Sequence, residues 1–153
     1  LLGWLLGDGA SKGEPSPDIR LDNRFVSPAE REFYLVLRRV VEDRAILLVQ
    51  VSLNQLLHVP RGEKGTPQAG WRNRIAQKSI DFLLVHPQSF QPLVAIELDE
   101  PSHARPSRQS RDEVVETALE AAGLPLVRVL TSKSYDTREI EAALLDYLVG
   151  KTS

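Results

Sequence analysis

Two rhythms of apolar residues run along this chain. Phe33, Leu37, Val40 and Val41 recur at the spacing of a helix that buries one stripe. Ser27 suits the N-cap, Pro28 the first helical position, and Glu30 completes a capping box, so this helix should run to about Glu42. Ala45 to Val51 is an almost continuous apolar run and predicts a buried strand. Ile80 to Val85 and Leu93 to Leu98 flank a Pro-bounded polar turn, which predicts an antiparallel hairpin. A helix capped by Ser107 or Ser110 should follow as far as Ala122, with Val115, Leu119 and Ala122 on one stripe and Gly123 and Pro125 as its stop. Pro125 to Leu130 then reads as a strand, and a right-handed crossover makes it parallel to the strand before the helix. Ile140, Leu144, Leu145 and Leu148 mark a closing helix from about Thr137 to Val149. The order α-β-β-β-α-β-α is that of an α/β fold, a mixed four-stranded sheet flanked by helices.

Two stretches lack this patterning. Gly7 to Asn23 is rich in Gly, Ser, Pro and Asp, so residues 1–24 read as a linker or tail and residues 25–153 as one domain. Between Ser52 and Gln77 a short helical turn is expected, followed by a long loop up to Trp71, and long loops inside compact domains are commonly functional or mobile. The opening segment Leu1 to Gly7 is apolar but far too short to span a bilayer. It fits either the trailing end of a membrane anchor or signal segment, or an element packed on the domain. With 153 residues, 42% of them hydrophobic, the chain is long enough for a proper core. The absence of cysteine excludes disulfides and thiolate metal sites, and a cytoplasmic setting is expected, free or tethered to a membrane.

The hairpin carries acids where a buried strand should carry more Val or Ile. Residues two apart share a face of a strand, so Glu97 and Asp99 project together with Ala95, while Val94, Ile96 and Leu98 take the other face. A turn centred near Ser89 places Asp81 opposite Glu97. Three acids at one strand end repel each other and lose hydration unless a cation compensates, and hard divalent cations favour such oxygen ligands. Asp81, Glu97 and Asp99 are therefore candidate ligands for Mg²⁺ or Mn²⁺. Glu30 shares the apolar face of its helix closely enough to join them, or serves only as the cap.

The net charge of −2 hides an uneven distribution. Asn54 to Lys78 carries Arg61, Lys64, Arg72, Arg74 and Lys78 against Glu63, and Pro101 to Arg111 carries Arg105, Arg108 and Arg111 with no acid. Both basic stretches flank the acidic hairpin and would suit a polyanion, or form an ordinary solvated surface. Trp71, between these arginines, either stacks on a base or closes the edge of a core. Arg108 and Arg111 oppose the dipole of their helix, which makes sense if they meet carboxylates or phosphates.

Asp81-Phe82 on the second strand, Glu97-Leu98-Asp99 at the end of the third, His103, Arg111-Asp112 and Gly123 together resemble the restriction-endonuclease-like PD-(D/E)XK superfamily. The stretch after Ile96 looks closest to the very-short-patch-repair endonuclease branch and to a related uncharacterised bacterial domain family. The similarity runs from about Ser27 to Val129 and implies a restriction-endonuclease-like core. It also implies that Asp81 and Glu97 hold Mg²⁺ or Mn²⁺, and that Glu30 matches the superfamily's helical Glu. The superfamily places a Lys two residues after the Glu, where this chain has Asp99. The repair branch also lacks that Lys, and the resemblance implies His103 as the group that accepts a proton from the attacking water. Asp112 would orient Arg111 or His103.

The expected function is hydrolysis of nucleic-acid phosphodiester bonds by a divalent-metal-dependent endo- or exonuclease. Arg72, Arg74, Arg105, Arg108 and Arg111 would contact the nucleic acid, DNA rather than RNA, and no small-molecule cofactor is expected. The competing expectation is a degenerate nuclease fold that binds nucleic acid or a protein partner without cleavage, for which the missing Lys argues. A third is a structural domain whose acids bind Ca²⁺ or nothing.

Overall fold

The computed structural model describes residues 18–62, 65, 67–100 and 106–148, with the backbone alone for residue 69 and residues 106–112. Four strands, β1 (Ile46–Ser52), β2 (Ser79–Val85), β3 (Pro92–Asp99) and β4 (Leu126–Leu130), lie side by side in chain order. The first two pairings are antiparallel and the third is parallel. This is the mixed sheet that the apolar runs predict. The pairs Phe82–Ile96, Leu83–Ala95 and Leu84–Val94 centre the hairpin at Ser89. His86 closes the turn by accepting from the backbone N–H groups of Gln88 and Ser89 on its Nδ1, each at 3.3 Å.

Helices cover both faces. Helix α1 (Pro28–Val41) and helix α5 (Thr137–Leu148) pack on one side, where Phe33, Leu37, Val40, Val41, Ile140, Leu144 and Leu148 meet Phe82, Leu84, Val94 and Ile96. Phe33 is fully buried and stands edge-on to Phe82, with ring centres 5.5 Å apart. On the other side, helix α2 (Leu53–Leu56), helix α3 (Pro67–Ile75) and helix α4 (Pro106–Ala121) supply Leu53, Ile75, Val115 and Leu119 against Leu83, Val85 and Ala95.

Local signals account for most boundaries. Ser27 and Glu30 form the reciprocal capping box: the Glu30 N–H donates to Ser27 Oγ at 3.3 Å and the Ser27 N–H donates to Glu30 Oε2 at 2.6 Å. Helix α4 ends where Gly123 adopts a φ of +71°, the left-handed conformation that glycine tolerates. The Leu124 N–H then reaches back to the Leu119 carbonyl at 3.0 Å, and both leucines join the same apolar cluster.

Several expectations need correction. Strand β1 lies at the sheet edge and is only half-buried, with Leu48 39% exposed. Helix α4 begins at Pro106, so Ser107 and Ser110 lie within it instead of capping it, and Ala122 is exposed just beyond its end. The stretch before β2 holds helix α3 instead of a long loop. Among its described side chains only Trp71 and Ile75, four residues apart, point it at the core, too few apolar positions to register as a period, while Pro67 at its first position favours a helix start. Leu145 does not belong to the buried stripe of α5; it is 45% exposed, because one residue beyond Leu144 lies about 100° further round the helix. Among the described residues no helix is long and apolar enough to cross a membrane. The expectation of an anchor concerns residues outside that set.

Replacing Phe33 with alanine should lower unfolding free energy by about 3–5 kcal/mol, the range for a fully buried aromatic. Urea denaturation measures it, and a loss near 1 kcal/mol or less would mean that the α1–sheet contact is not the core that its burial implies.

Candidate functional site

The acids gather at the end of the sheet where β3 finishes and α1 begins. Carrying the β2–β3 register one residue beyond Phe82–Ile96 sets Asp81 opposite Glu97, as the turn symmetry predicts. Alternation along β3 puts Glu97 and Asp99 on the face of Ala95, which is covered by α4. Along β2 the alternation breaks at Asp81. Ile80 and Leu83 pack in the same cluster, while Phe82 and Leu84 pack in the other. Directly across on β1, between the pairs Val49–Phe82 and Val51–Ile80, Gln50 has a φ of +50°. Such a conformation is uncommon for a residue with a side chain and marks a local distortion of the ladder.

That distortion gives Asp81 neighbours from both layers. Its Oδ2 accepts the Leu98 backbone N–H at 2.9 Å. Glu30, reaching in from the first turn of α1, lies within hydrogen-bonding reach of the Asp81 carboxyl, and the charge of Asp99 is felt there too. Burial is the largest influence on Asp81; together with the Glu30 and Asp99 charges it outweighs the Leu98 N–H and pushes the Asp81 pKa from 3.8 up to about 6. A hydrogen bond between two carboxyl groups needs one proton, so this pair is settled only while Asp81 is protonated or a cation is present.

Glu30 caps α1 and also reaches the sheet. Its Oε2 takes the Ser27 N–H at 2.6 Å as the cap, and its Oε1 takes Gln50 Nε2 at 2.7 Å. Ser79 Oγ donates in turn to Gln50 Oε1 at 3.4 Å. Asp99 is held by Arg128, whose Nη1 lies 3.1 and 3.3 Å from its two oxygens. Arg128 Nη2 is 3.8 Å from Glu116 of α4. Among the described residues no group of three or more His, Asp or Glu is placed to hold a metal ion. Asp81, Glu30 and Asp99 thus meet as interacting pairs, with Glu97 half-buried beside them.

The basic residues divide differently. Arg72 is half-buried and donates to the Pro60 carbonyl at 3.0 Å, so it anchors the loop before α3. Arg74 lies over the Trp71 ring, 5.2 Å from its centre, and Trp71 itself packs against the α3–α4 cluster. Trp71 therefore closes the edge of a core, the second of its two predicted roles. Arg108, Arg111 and Asp112 fall in the first turns of α4, where the side chains are not described, and His103 and Arg105 lie outside the described residues. Gln50 and Arg128 escaped the sequence reading. The only signal for each was one polar residue in an otherwise apolar run.

The Asp81 shift has a testable sign. In the folded protein Asp81 keeps its proton up to about pH 6, whereas the unfolded chain releases it near 3.8, so stability falls as pH rises between these values and the penalty is complete above them. Asp81→Asn, which can still accept the Leu98 N–H, should stabilise the protein at about pH 8 by on the order of 1 kcal/mol, a figure reduced for the partial exposure of the group. The gain should vanish near pH 4. Denaturation at several pH values tests this, and a gain independent of pH would refute the cause given for the shift.

Residues 23–148 match the model of a family described as a protein of unknown function, DUF2726. No curated protein and no solved structure matches the chain. With its sheet, hairpin and acidic strand ends all inside the matched span, the chain belongs to the DUF2726 family.

Proposed function

We propose that this domain is a divalent-metal-dependent nuclease of the restriction-endonuclease-like type, acting on DNA in preference to RNA. The observation that carries the reading is Asp81, opposite Glu97, with its pKa raised to about 6 by burial and by Glu30 and Asp99. A carboxyl set among other acids at such a cost to its own ionisation is expected where a bound cation repays it. The donor set suits Mg²⁺ or Mn²⁺, since it offers only hard oxygen atoms. Mg²⁺ commonly takes one or two carboxylates and keeps several waters, so a closed set of three ligands is not required. Asp81 and Glu97 would hold the ion, with Asp99 and Glu30 tuning their charge.

The bound ion would supply Lewis-acid stabilisation of the phosphoryl oxygens and a more acidic water. The chain's own residues have the remaining tasks. His103 would accept the proton of the water that attacks phosphorus as the P–O ester bond breaks. Arg108 and Arg111, in the first turns of α4, would hold the scissile or a neighbouring phosphate. Gln50 and Ser27 keep Glu30 in place, so the acid from α1 stays beside Asp81.

A module of the same fold that binds nucleic acid without cutting it is the second reading. Its support is Asp99, which stands two residues after Glu97 and is already paired with Arg128. An acid there cannot stabilise developing negative charge as a lysine can.

Purified protein should bind Mn²⁺, measured by calorimetry, and cleave DNA only with a divalent ion present. Glu97→Gln and Asp81→Asn should each abolish cleavage and weaken Mn²⁺ binding, since a carboxamide keeps the shape and loses the charge. His103→Ala should slow cleavage by roughly 10²–10⁴ with little change in Mn²⁺ affinity. Mn²⁺ and DNA binding without cleavage across a broad panel of substrates would select the second reading; no Mn²⁺ binding at all would eliminate the nuclease.

A further inference from the structure

Arg128 stands in the middle of the edge strand β4, directly beside Glu97 in the β3–β4 ladder. Its Nη1 donates to both carboxylate oxygens of Asp99, and its Nη2 approaches Glu116 less closely, at 3.8 Å. The Arg128 side chain is 30% exposed and that of Asp99 34%, whereas Glu116 is 64% exposed. The sheltered partner is therefore Asp99, and Glu116 is the weakly held, solvent-screened one. Asp99 is also one of the two acids, with Glu30, whose charges reach Asp81. The guanidinium thus sits at the rim of the acid cluster, between the strand ends and α4.

Electrostatics gives this cation two situations. While the carboxylates hold no divalent ion, Arg128 is the counter-charge of Asp99. Once an ion neutralises them, the attraction of Asp99 for Arg128 weakens, because one cation has taken over the work of another. A guanidinium released there presents a planar fork of donors, matched to paired phosphate oxygens.

We propose that Arg128 is an exchangeable counter-ion, neutralising Asp99 until a divalent ion does so and then turning its donors to a phosphate of the nucleic acid. This rests on the metal-dependent reading above and adds a coupling to it. Ion and nucleic acid must then strengthen each other's binding by the same factor.

The test titrates the full chain with Mn²⁺ by calorimetry, with and without a phosphorothioate DNA duplex that resists cleavage. In the wild type the duplex should tighten Mn²⁺ binding roughly 10-fold, within the usual range of coupling between sites. Arg128→Gln should bind Mn²⁺ alone about 3-fold more tightly, having lost a competing cation, and the duplex should then add about 3-fold or less. Arg128→Lys, which keeps the charge and loses the fork, should fall between the two. Asp99→Asn should raise duplex affinity in EDTA by about 3-fold, because the guanidinium is already released. The double variant, Asp99→Asn with Arg128→Gln, should show no such gain, which separates a released guanidinium from mere loss of a negative charge. Undiminished coupling in Arg128→Gln would overturn the exchange and leave the metal site standing. A wild type that takes up no Mn²⁺ would overturn both. If Arg128→Gln does not fold, Asp99→Asn decides alone, and unchanged or weaker duplex binding in EDTA sinks the proposal.

Discussion

Phe82 and Ile96 are partners across the β2–β3 hairpin, and both are wholly buried against the layer formed by α1 and α5. Slipping one strand by a single residue would turn its whole apolar set to the wrong face, so burial on both sides of the sheet leaves one acceptable register. Leu83 and Ala95 enforce the same pairing from the α4 side. The acids inherit this constraint. Asp81 and Glu97 lie next to Phe82 and Ile96 in sequence, so the contact that fixes the core also sets the two carboxylates opposite each other. Precision at the site follows from rigidity in the core, with no loop needed to supply it.

Around that fixed pair, hydrogen bonds spread the electrostatic burden over several elements. Glu30 is kept in place by the Ser27 N–H and by Gln50, and Asp81 receives the Leu98 N–H. Gln50 adopts a positive φ in a strand where every neighbour is extended, and its side chain links Glu30 to Ser79. A strained backbone persists only when its surroundings over-determine it. Here the surroundings are the ladder on either side and the carboxylate that Gln50 donates to.

Much of this was legible in the chain before any coordinates. The capping box, the four buried residues of α1 and the centre of the hairpin all depend on neighbours within a few positions, or on one symmetric turn, and all appear as expected. The role of Glu30 was undecided because a cap and a site acid need the same residue at the same place. What stayed hidden depends on partners far apart in sequence. Arg128 and Asp99 are separated by 29 positions. Strand parity gives the face that each takes, yet says nothing of which strand lies alongside. The φ of Gln50 is likewise dictated by what lies across from it. Helix α3 was missed for a simpler reason, since two apolar residues do not make a period.

The way this cluster is built bears on whether its acids serve the fold. A sheet end selected for stability alone would carry an apolar residue at position 81, between Ile80 and Phe82, both fully buried. Instead it carries a carboxyl pushed to about 6, which destabilises the folded state at neutral pH relative to an uncharged residue. The neighbouring acid is brought from a different layer and is held by Ser27 at the start of α1 and by Gln50 of β1. Ion pairs bring opposite charges together, as Asp99 and Arg128 do. Asp81 with Glu30 brings like charges together, and a folded protein gains from that only when a proton or a cation enters between them. With the Asp81 pKa at about 6, a proton is largely lost at neutral pH, so the divalent ion proposed above is the partner that would relieve the pair there.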